Sequence, residues 1–463
     1  MSGDHPTSEV ERLRAIEHAP PLRRALGYFR LMGPGYLQSA MTLGGGTAFA
    51  SIFAGAAFGY SLLWVAPLSM LLGIIVLAAV AHQTLSTDED PFDAMKRYAG
   101  PFFAYAWGIG AVVSSIIWQF AQYGLAAVML VLLAKRTGWE NASTSIMALI
   151  ALAWCVGVGL LYGRSPRLVR LYENILKGMV WLIILCFAYV VVRMGVMKPG
   201  ALLAGLIPQV PEARTMPNDT VIRPSMLIVS GLAAAVGVNM VFVYPFSLRR
   251  RGWGREHRRL ARMDLVFGMF VPFALAASLI LIASASVLHY ANPALFEGKG
   301  VAPDQVAQIL GAPDLLGNAG VWVFSLGIIA MALSSITMQM LSSGFACERM
   351  FGWKEGTPLH VVGTLLPAIG VLGAVLWRDM SLWVVVPTNV VCLALLPLAY
   401  VGFIILQTRR SYLGNDTPTG FKAKLWLAGM IVATLVVVGG LLKVVIDEVP
   451  GYVERLVTPD RGS

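Results

Sequence analysis

The sequence predicts an all-α membrane protein of eleven transmembrane helices. They form two inverted five-helix repeats and an added eleventh helix, with helices 1 and 6 interrupted. Three observations carry this. Of 463 residues, 57% are hydrophobic and only 13% charged, where a soluble domain carries about a quarter charged residues. The apolar residues fall into eleven runs, each near the roughly 20 residues that cross a bilayer as a helix. Two runs at matching positions in the two halves are broken by small residues, "LGGGT" ending at Thr47 and "AAAVGVN" ending at Asn239. Matched interruptions are the sequence sign of an inverted-repeat transporter whose cargo lies between broken helices at mid-bilayer.

The spans are expected near 32–56, 59–82, 102–134, 144–163, 173–194, 224–247, 264–289, 318–346, 360–377, 381–407 and 424–446. They divide the chain into a cytoplasmic N-terminal segment 1–30, a first repeat 31–200, a second repeat 201–407, and an eleventh helix with its tail 408–463. The N-terminal segment is polar and of mixed charge, without the apolar run of a secretory signal. Most of the 35 Lys and Arg residues fall on alternate loops, above all in "RRRGWGREHRRLAR" after the sixth span. The positive-inside rule then places the N-terminus in the cytoplasm and the C-terminus outside, in a multi-pass protein of the cell inner membrane. The net charge of +10 belongs to these loops. Anchoring against anionic lipid accounts for it, and nucleic-acid binding is not called for. The four cysteines lie widely spaced in apolar runs, as packed thiols and not as a zinc set.

Glycine costs about 0.8–1 kcal/mol in a helix interior. An unwound segment also leaves peptide groups without helical partners, which the bilayer tolerates only beside protein or a polar cavity. Gly44, Gly45, Gly46 and Thr47 in the first break, and Ala234, Gly237, Val238 and Asn239 in the second, are therefore the candidate substrate site. Close helix packing through small residues is the plainer use of glycine, but two matched breaks with an adjacent polar side chain favour a site. Gln122 and Asn389 add amides from other spans. Charged residues occur only near span ends, at Glu173, Lys177, Asp264, Glu348 and Lys443. Ionisable residues mark ion and proton routes inside membranes, and an intramembrane enzyme needs a nucleophile–base or metal constellation at depth. Neither pattern is present mid-span.

Three longer stretches resemble the Nramp family of proton-coupled metal-ion transporters. They are "GPGYLQSAMTLGGGTAFASIFAGAAFGY", "YGRSPRLVRLYENILKGMVWLIILCFAYVVV" with "LLAGLIPQVP", and "VFSLGIIAMALSSITMQMLSSGFACERMFGW". The resemblance covers about Gly33 to Val445 and implies the LeuT-like inverted repeat. Its chemistry is replaced. The family's Asp-Pro-Gly-Asn motif stands here as Gly44, Gly45, Gly46 and Thr47. Its Met-Pro-His motif stands as Gly237, Val238 and Asn239, and Gln119 and Gln122 occupy positions of acids on the family's proton route. None of the family's divalent-metal ligands is present.

A neutral site disfavours a dehydrated divalent ion, because Mg²⁺ takes carboxylates and softer metals take thiolate, thioether or imidazole. Helix N-termini favour negative charge, so the sequence points to Na⁺-coupled transport of a small inorganic anion such as bicarbonate. Amino acids and neutral solutes use the same donors, and a partly hydrated Mn²⁺ or Mg²⁺ remains the alternative. The LeuT-like resemblance implies a Na⁺ site at Ser334 and Ser335, where serines bonding to their own helix are the competing explanation. No other cofactor and no soluble partner is indicated. Trp118, Met338 and Met340 read as packing, and Arg164 and Glu173 as solvated loop charges, with a pair that holds a gate as the alternative.

Overall fold

The computed structural model describes residues 9–457 apart from 163–164, 216–220, 292–295, 297–302, 355–356, 377–387 and 389–390. Proline starts many of its helices and glycine ends several. Pro34, Pro101, Pro166, Pro224 and Pro358 each occupy the first helical turn, where the missing N–H costs nothing. Gly59, Gly195 and Gly352 follow helix ends at φ of 59°, 74° and 67°, a backbone state that side-chain-bearing residues rarely adopt.

Two short helices, α1 (Glu9–Glu17) and α2 (Pro21–Leu31), precede the membrane bundle. The first span is the pair α3 (Pro34–Thr42) and α4 (Gly45–Phe58), bent by 56° at the break. It is followed by α5 (Val65–Ser86), α6 (Pro101–Arg136), α7 (Thr144–Gly159) and α8 (Pro166–Met194). The sixth span is α9 (Pro224–Ala235) and α10 (Val238–Arg250). The remaining spans are α11 (Arg255–Ala291), α12 (Gly317–Phe351), α13 (Pro358–Val375), α14 (Val391–Thr408) and α15 (Gly420–Val457).

Among the described residues, nine helices are long and apolar enough to cross a membrane, and the bent pair adds a tenth. The 16 residues of α7 extend about 24 Å at 1.5 Å per residue and stand where the fourth span is expected. The tenth expected span is described from 388 and from Val391 onward. Two long spans, α6 and α12, pack along each other. The broken spans lie against them, α3 on α8 and α12, and α10 on α6 and α12. In its apolar window the sixth span is 83% buried and the eleventh 28%. The broken helices are therefore the core of the bundle, and α15 is its lipid-facing margin.

Candidate functional site

The first break is a tight turn at Leu43 followed by extended Gly44, and the second is extended backbone. Leu43 and Gly44 have φ/ψ of −77°/70° and −125°/−169°, and Val236 and Gly237 have −142°/117° and −99°/162°. None of these angles demands glycine, so the glycines serve close approach. A Cβ on Gly44 would stand 2.5 Å from Gln122 Nε2 and 2.7 Å from Ser335 Oγ, and one on Gly46 would collide with the Trp118 ring.

Hydroxyl groups close the gaps in the backbone. Thr42 Oγ1 donates across the breaks to the carbonyls of Ala234 (2.7 Å) and Ala235 (2.9 Å). Thr47 Oγ1 donates to Thr42 O at 2.6 Å, and Ser342 Oγ on α12 to Asn239 O at 2.9 Å. Gln122 spans from α6, accepting the Gly45 N–H at 2.7 Å and donating to Ser335 Oγ at 3.2 Å. Asn239 accepts the Met240 N–H at 3.0 Å and donates to Ser115 Oγ at 3.4 Å.

The space left is a cavity of about 20 Å³, room for about one water. Of the residues predicted from the sequence, Gly44, Gly46, Thr47, Ala234, Gly237, Asn239 and Gln122 line it. Gly45 is held behind the wall by Gln122, and Val238 lies under α6, where it would meet a side chain added at Gly110. Asn389 lies outside the described residues. The remaining wall, which the sequence reading missed, includes Met41, Thr42, Trp118, Met240 and Gln339. Two expectations are corrected here. Trp118 is part of the cavity wall rather than general packing, because Gly46 has no side chain to hold its ring away. Thioethers also reach the cavity despite the lost methionine of the motif, through Met41 before the first break and Met240 three residues after the second. Position one turn from a break is the signal that would have found Met240. Among the described residues, no Asp, Glu, His or Cys lines the cavity, and no group of three or more such side chains could hold a metal.

A second cavity, of about 30 Å³, shares Thr47 and Ala234. It follows α4 past Ala50 and Ala54 to Leu62, Leu63 and Val65 at the start of α5, away from the arginine-rich loops. At the other end, the start of α3 is tied down. Gly35 N–H donates to Asp264 Oδ2 at 2.6 Å, Arg251 Nη2 to Leu31 O at 2.7 Å, and Lys177 Nζ to Phe29 O at 3.3 Å. Arg251 also pairs with Glu173 at 3.5 Å. Glu173 was expected as a solvated loop charge, or beside Arg164, which lies outside the described residues; among the described ones it forms its ion pair with Arg251.

Below the first break, Ser334 Oγ approaches Ala40 O at 3.1 Å and its own helix at Met331 O at 3.2 Å, while Ser335 Oγ donates to Met41 O at 2.9 Å. The serines thus bond both within α12 and across to α3. Two hydroxyls and two carbonyls of the last turn of α3 meet there without a formal charge.

A family model described as natural resistance-associated macrophage protein-like matches residues 35–444. The divalent metal cation transporter MntH of Mycobacterium leprae is 23% identical over 417 residues, 88% of this chain and 91% of that protein. The protein of the same name from Nostoc is 24% identical, with 89% and 90% covered. The crystal structure of a histidine-to-alanine mutant of the Eremococcus coleocola manganese transporter superposes with a TM-score of 0.74 at 16% identity, over 93% of this chain and 90% of the other. Mhp1, a nucleobase-cation-symport-1 family transporter, gives 0.57 at 12% identity over 90% and 92%. These likenesses place the fold in the LeuT-like class.

Proposed function

The chain belongs to the Nramp family, a multi-pass membrane transporter and not an enzyme, and from that premise we propose that it carries a small inorganic anion, bicarbonate fitting best, coupled to Na⁺. The observation that carries this is an asymmetry of hydrogen-bonding groups at the breaks. Four backbone acceptors at the breaks are used, since hydroxyls cover the carbonyls of Thr42, Ala234, Ala235 and Asn239, while on the wall the side-chain oxygen Gln339 Oε1 is open. Donors are left, because the first-turn N–H groups of a helix have no intrahelical partner. These belong to Gly46 and Thr47 on α4 and to Val238 and Asn239 on α10. Helix N-termini of this kind hold anions.

With the arginine-rich loops in the cytoplasm, the ties at Asp264, Arg251 and Lys177 close the inner end, and the second cavity leads outward. A cradle with room for one water admits the anion once the outer half opens, as alternating access requires. Moving one negative charge inward against an inside-negative potential costs about 2.3 kcal/mol per 100 mV, which a co-transported Na⁺ offsets. The oxygens of Ser334, Ser335, Ala40 and Met41 are the proposed Na⁺ site.

The second reading is the cargo named for the relatives, a divalent metal. It is supported by those names, by the thioethers of Met41 and Met240 on the wall, which suit soft transition metals, and by a cavity of ionic size. Against it stands the desolvation of a doubly charged ion, several kcal/mol, with no counter-charge on the wall. Uptake into proteoliposomes separates the two. The anion reading expects Na⁺-dependent uptake of labelled bicarbonate that Asn239→Ala and Ser334→Ala weaken. Uptake of Mn²⁺ or Mg²⁺ that is lost in Thr47→Ala or Met240→Ala, with no bicarbonate flux, replaces it with the metal reading.

A further inference from the structure

The helix before the first span has one face that the bundle does not cover. On α2, Tyr28 is 3% exposed and turned inward, Leu22 is 74% and Leu26 55% exposed, and Phe29, 37% exposed, keeps part of its ring against Lys177 and Trp181. At about 100° per residue Leu22, Leu26 and Phe29 share a sector of roughly 60°. Arg23 and Arg30 fall beside that sector, both exposed, and α2 carries no acidic residue. The start of α11 packs against α2 and adds the exposed Arg259 and Arg262. Only Met32 and Gly33 separate α2 from α3, so this face lies at the level where the bilayer begins. A helix with a narrow apolar sector flanked by arginines lies in a membrane interface, its apolar side among the acyl chains, and arginine stems reach from there to headgroups.

We propose that α2 lies flat in the inner-leaflet interface, with Leu22, Leu26 and Phe29 among acyl chains and Arg23, Arg30, Arg259 and Arg262 on the phosphates of anionic phospholipid. The proposal rests on the cytoplasmic placement of the arginine-rich side, and its test below needs no cargo. The lipid contact has a mechanical consequence. The last turn of α2 receives two of the bonds that hold the inner end shut, Lys177 to Phe29 O and Arg251 to Leu31 O. Lipid that fixes α2 in the plane supplies a fixed plate against which α3 swings when those bonds break.

The test places a bimane on Leu26→Cys in the full chain, reconstituted in phosphatidylcholine with phosphatidylglycerol. The four native cysteines are buried, so labelling is selective, and Leu22→Cys serves if Leu26→Cys does not fold. The expected result is quenching by lipid brominated on its acyl chains, several-fold stronger from brominated phosphatidylglycerol than from brominated phosphatidylcholine at equal fraction. That preference should weaken several-fold in Arg23→Gln/Arg30→Gln, which leaves Arg259 and Arg262, since each basic residue near the surface contributes about fivefold in affinity for anionic lipid. Quenching by aqueous iodide but by neither lipid overturns the proposal, as does a Leu26→Cys disulfide dimer showing that a second copy covers this face. Equal quenching by the two lipids overturns the anionic contact.

Discussion

Replacing Thr42 with valine tests the reasoning about the site most directly. Valine keeps the shape of threonine and removes only the hydroxyl, which bonds the buried carbonyls of Ala234 and Ala235 at 2.7 and 2.9 Å. A buried acceptor left without its donor costs about 1–3 kcal/mol. One proton is shared between the two carbonyls, so the expected loss is about 1–3 kcal/mol in all and not twice that. The variant should melt several degrees lower in detergent. Its effect on cargo has a sign. Thr42 and Ala234 line the cavity, so losing the hydroxyl uncovers an electron-rich oxygen beside the cargo. At 1.4 kcal/mol per tenfold, the KM for bicarbonate should rise about tenfold or more, while Thr42→Ser should behave nearly as the native chain. Unchanged KM and melting temperature in Thr42→Val would refute the claim that this hydroxyl closes the breaks. A bicarbonate KM that falls, or a gain in Mn²⁺ uptake, would turn the site chemistry toward cations.

Other outcomes are expected elsewhere. Gly46→Ala drives a Cβ into the Trp118 ring and should abolish uptake, with partial recovery in Gly46→Ala/Trp118→Ala; failure of any recovery in a folded double variant argues against steric closure. Arg251→Gln removes the ion pair to buried Glu173 and the bond to Leu31 O and should loosen the inner closure. A cysteine at Ser39 should then become modifiable from the arginine-rich side, and continued protection would place the inner closure elsewhere. Ser334→Ala/Ser335→Ala should remove the Na⁺ dependence of uptake without preventing folding, and uptake that keeps its Na⁺ response moves the coupling ion to other residues. Asp416, on the loop before α15, is held below the usual carboxylate range first by its hydrogen bond from Arg258 (2.9 Å), with the charge of Arg255 (3.2 Å) adding to it. A lowered folded-state pKa contributes stability that is complete above the ordinary carboxylate range and fades as acid protonates the group. Asp416→Asn should therefore flatten the fall in melting temperature as pH drops below about 5, by an amount in the range of an exposed pair, under about 1 kcal/mol. An unchanged acid profile would show the loop pair to be inert.

The bilayer made much of this protein legible in one dimension. A span must satisfy its own backbone, so apolar length alone announces a helix, and proline and glycine announce where it starts and stops. The interruptions at Gly44 and Gly237 were readable for the same reason, since close packing explains a single glycine and matched breaks beside polar residues in two halves point further, to a site. What surrounds the breaks is a matter of three dimensions. The partner that Glu173 meets, Arg251, is 78 positions away, and Asp264 reaches Gly35 across 229. Thr42 looks like an ordinary small polar residue until α9 brings the carbonyls of Ala234 and Ala235 within reach of its hydroxyl. Trp118 became part of the wall because the chain lacks a side chain at Gly46 to keep it out, and Met240 because its sulfur turns back to the Gly237 N–H. Sequence alone determined that two helices break and that the break is uncharged, because both are properties of local residue type. Tertiary structure alone decided which acceptors are covered and which donors stay open, because that depends on groups from distant spans meeting within about 3 Å, the range over which a hydrogen bond acts.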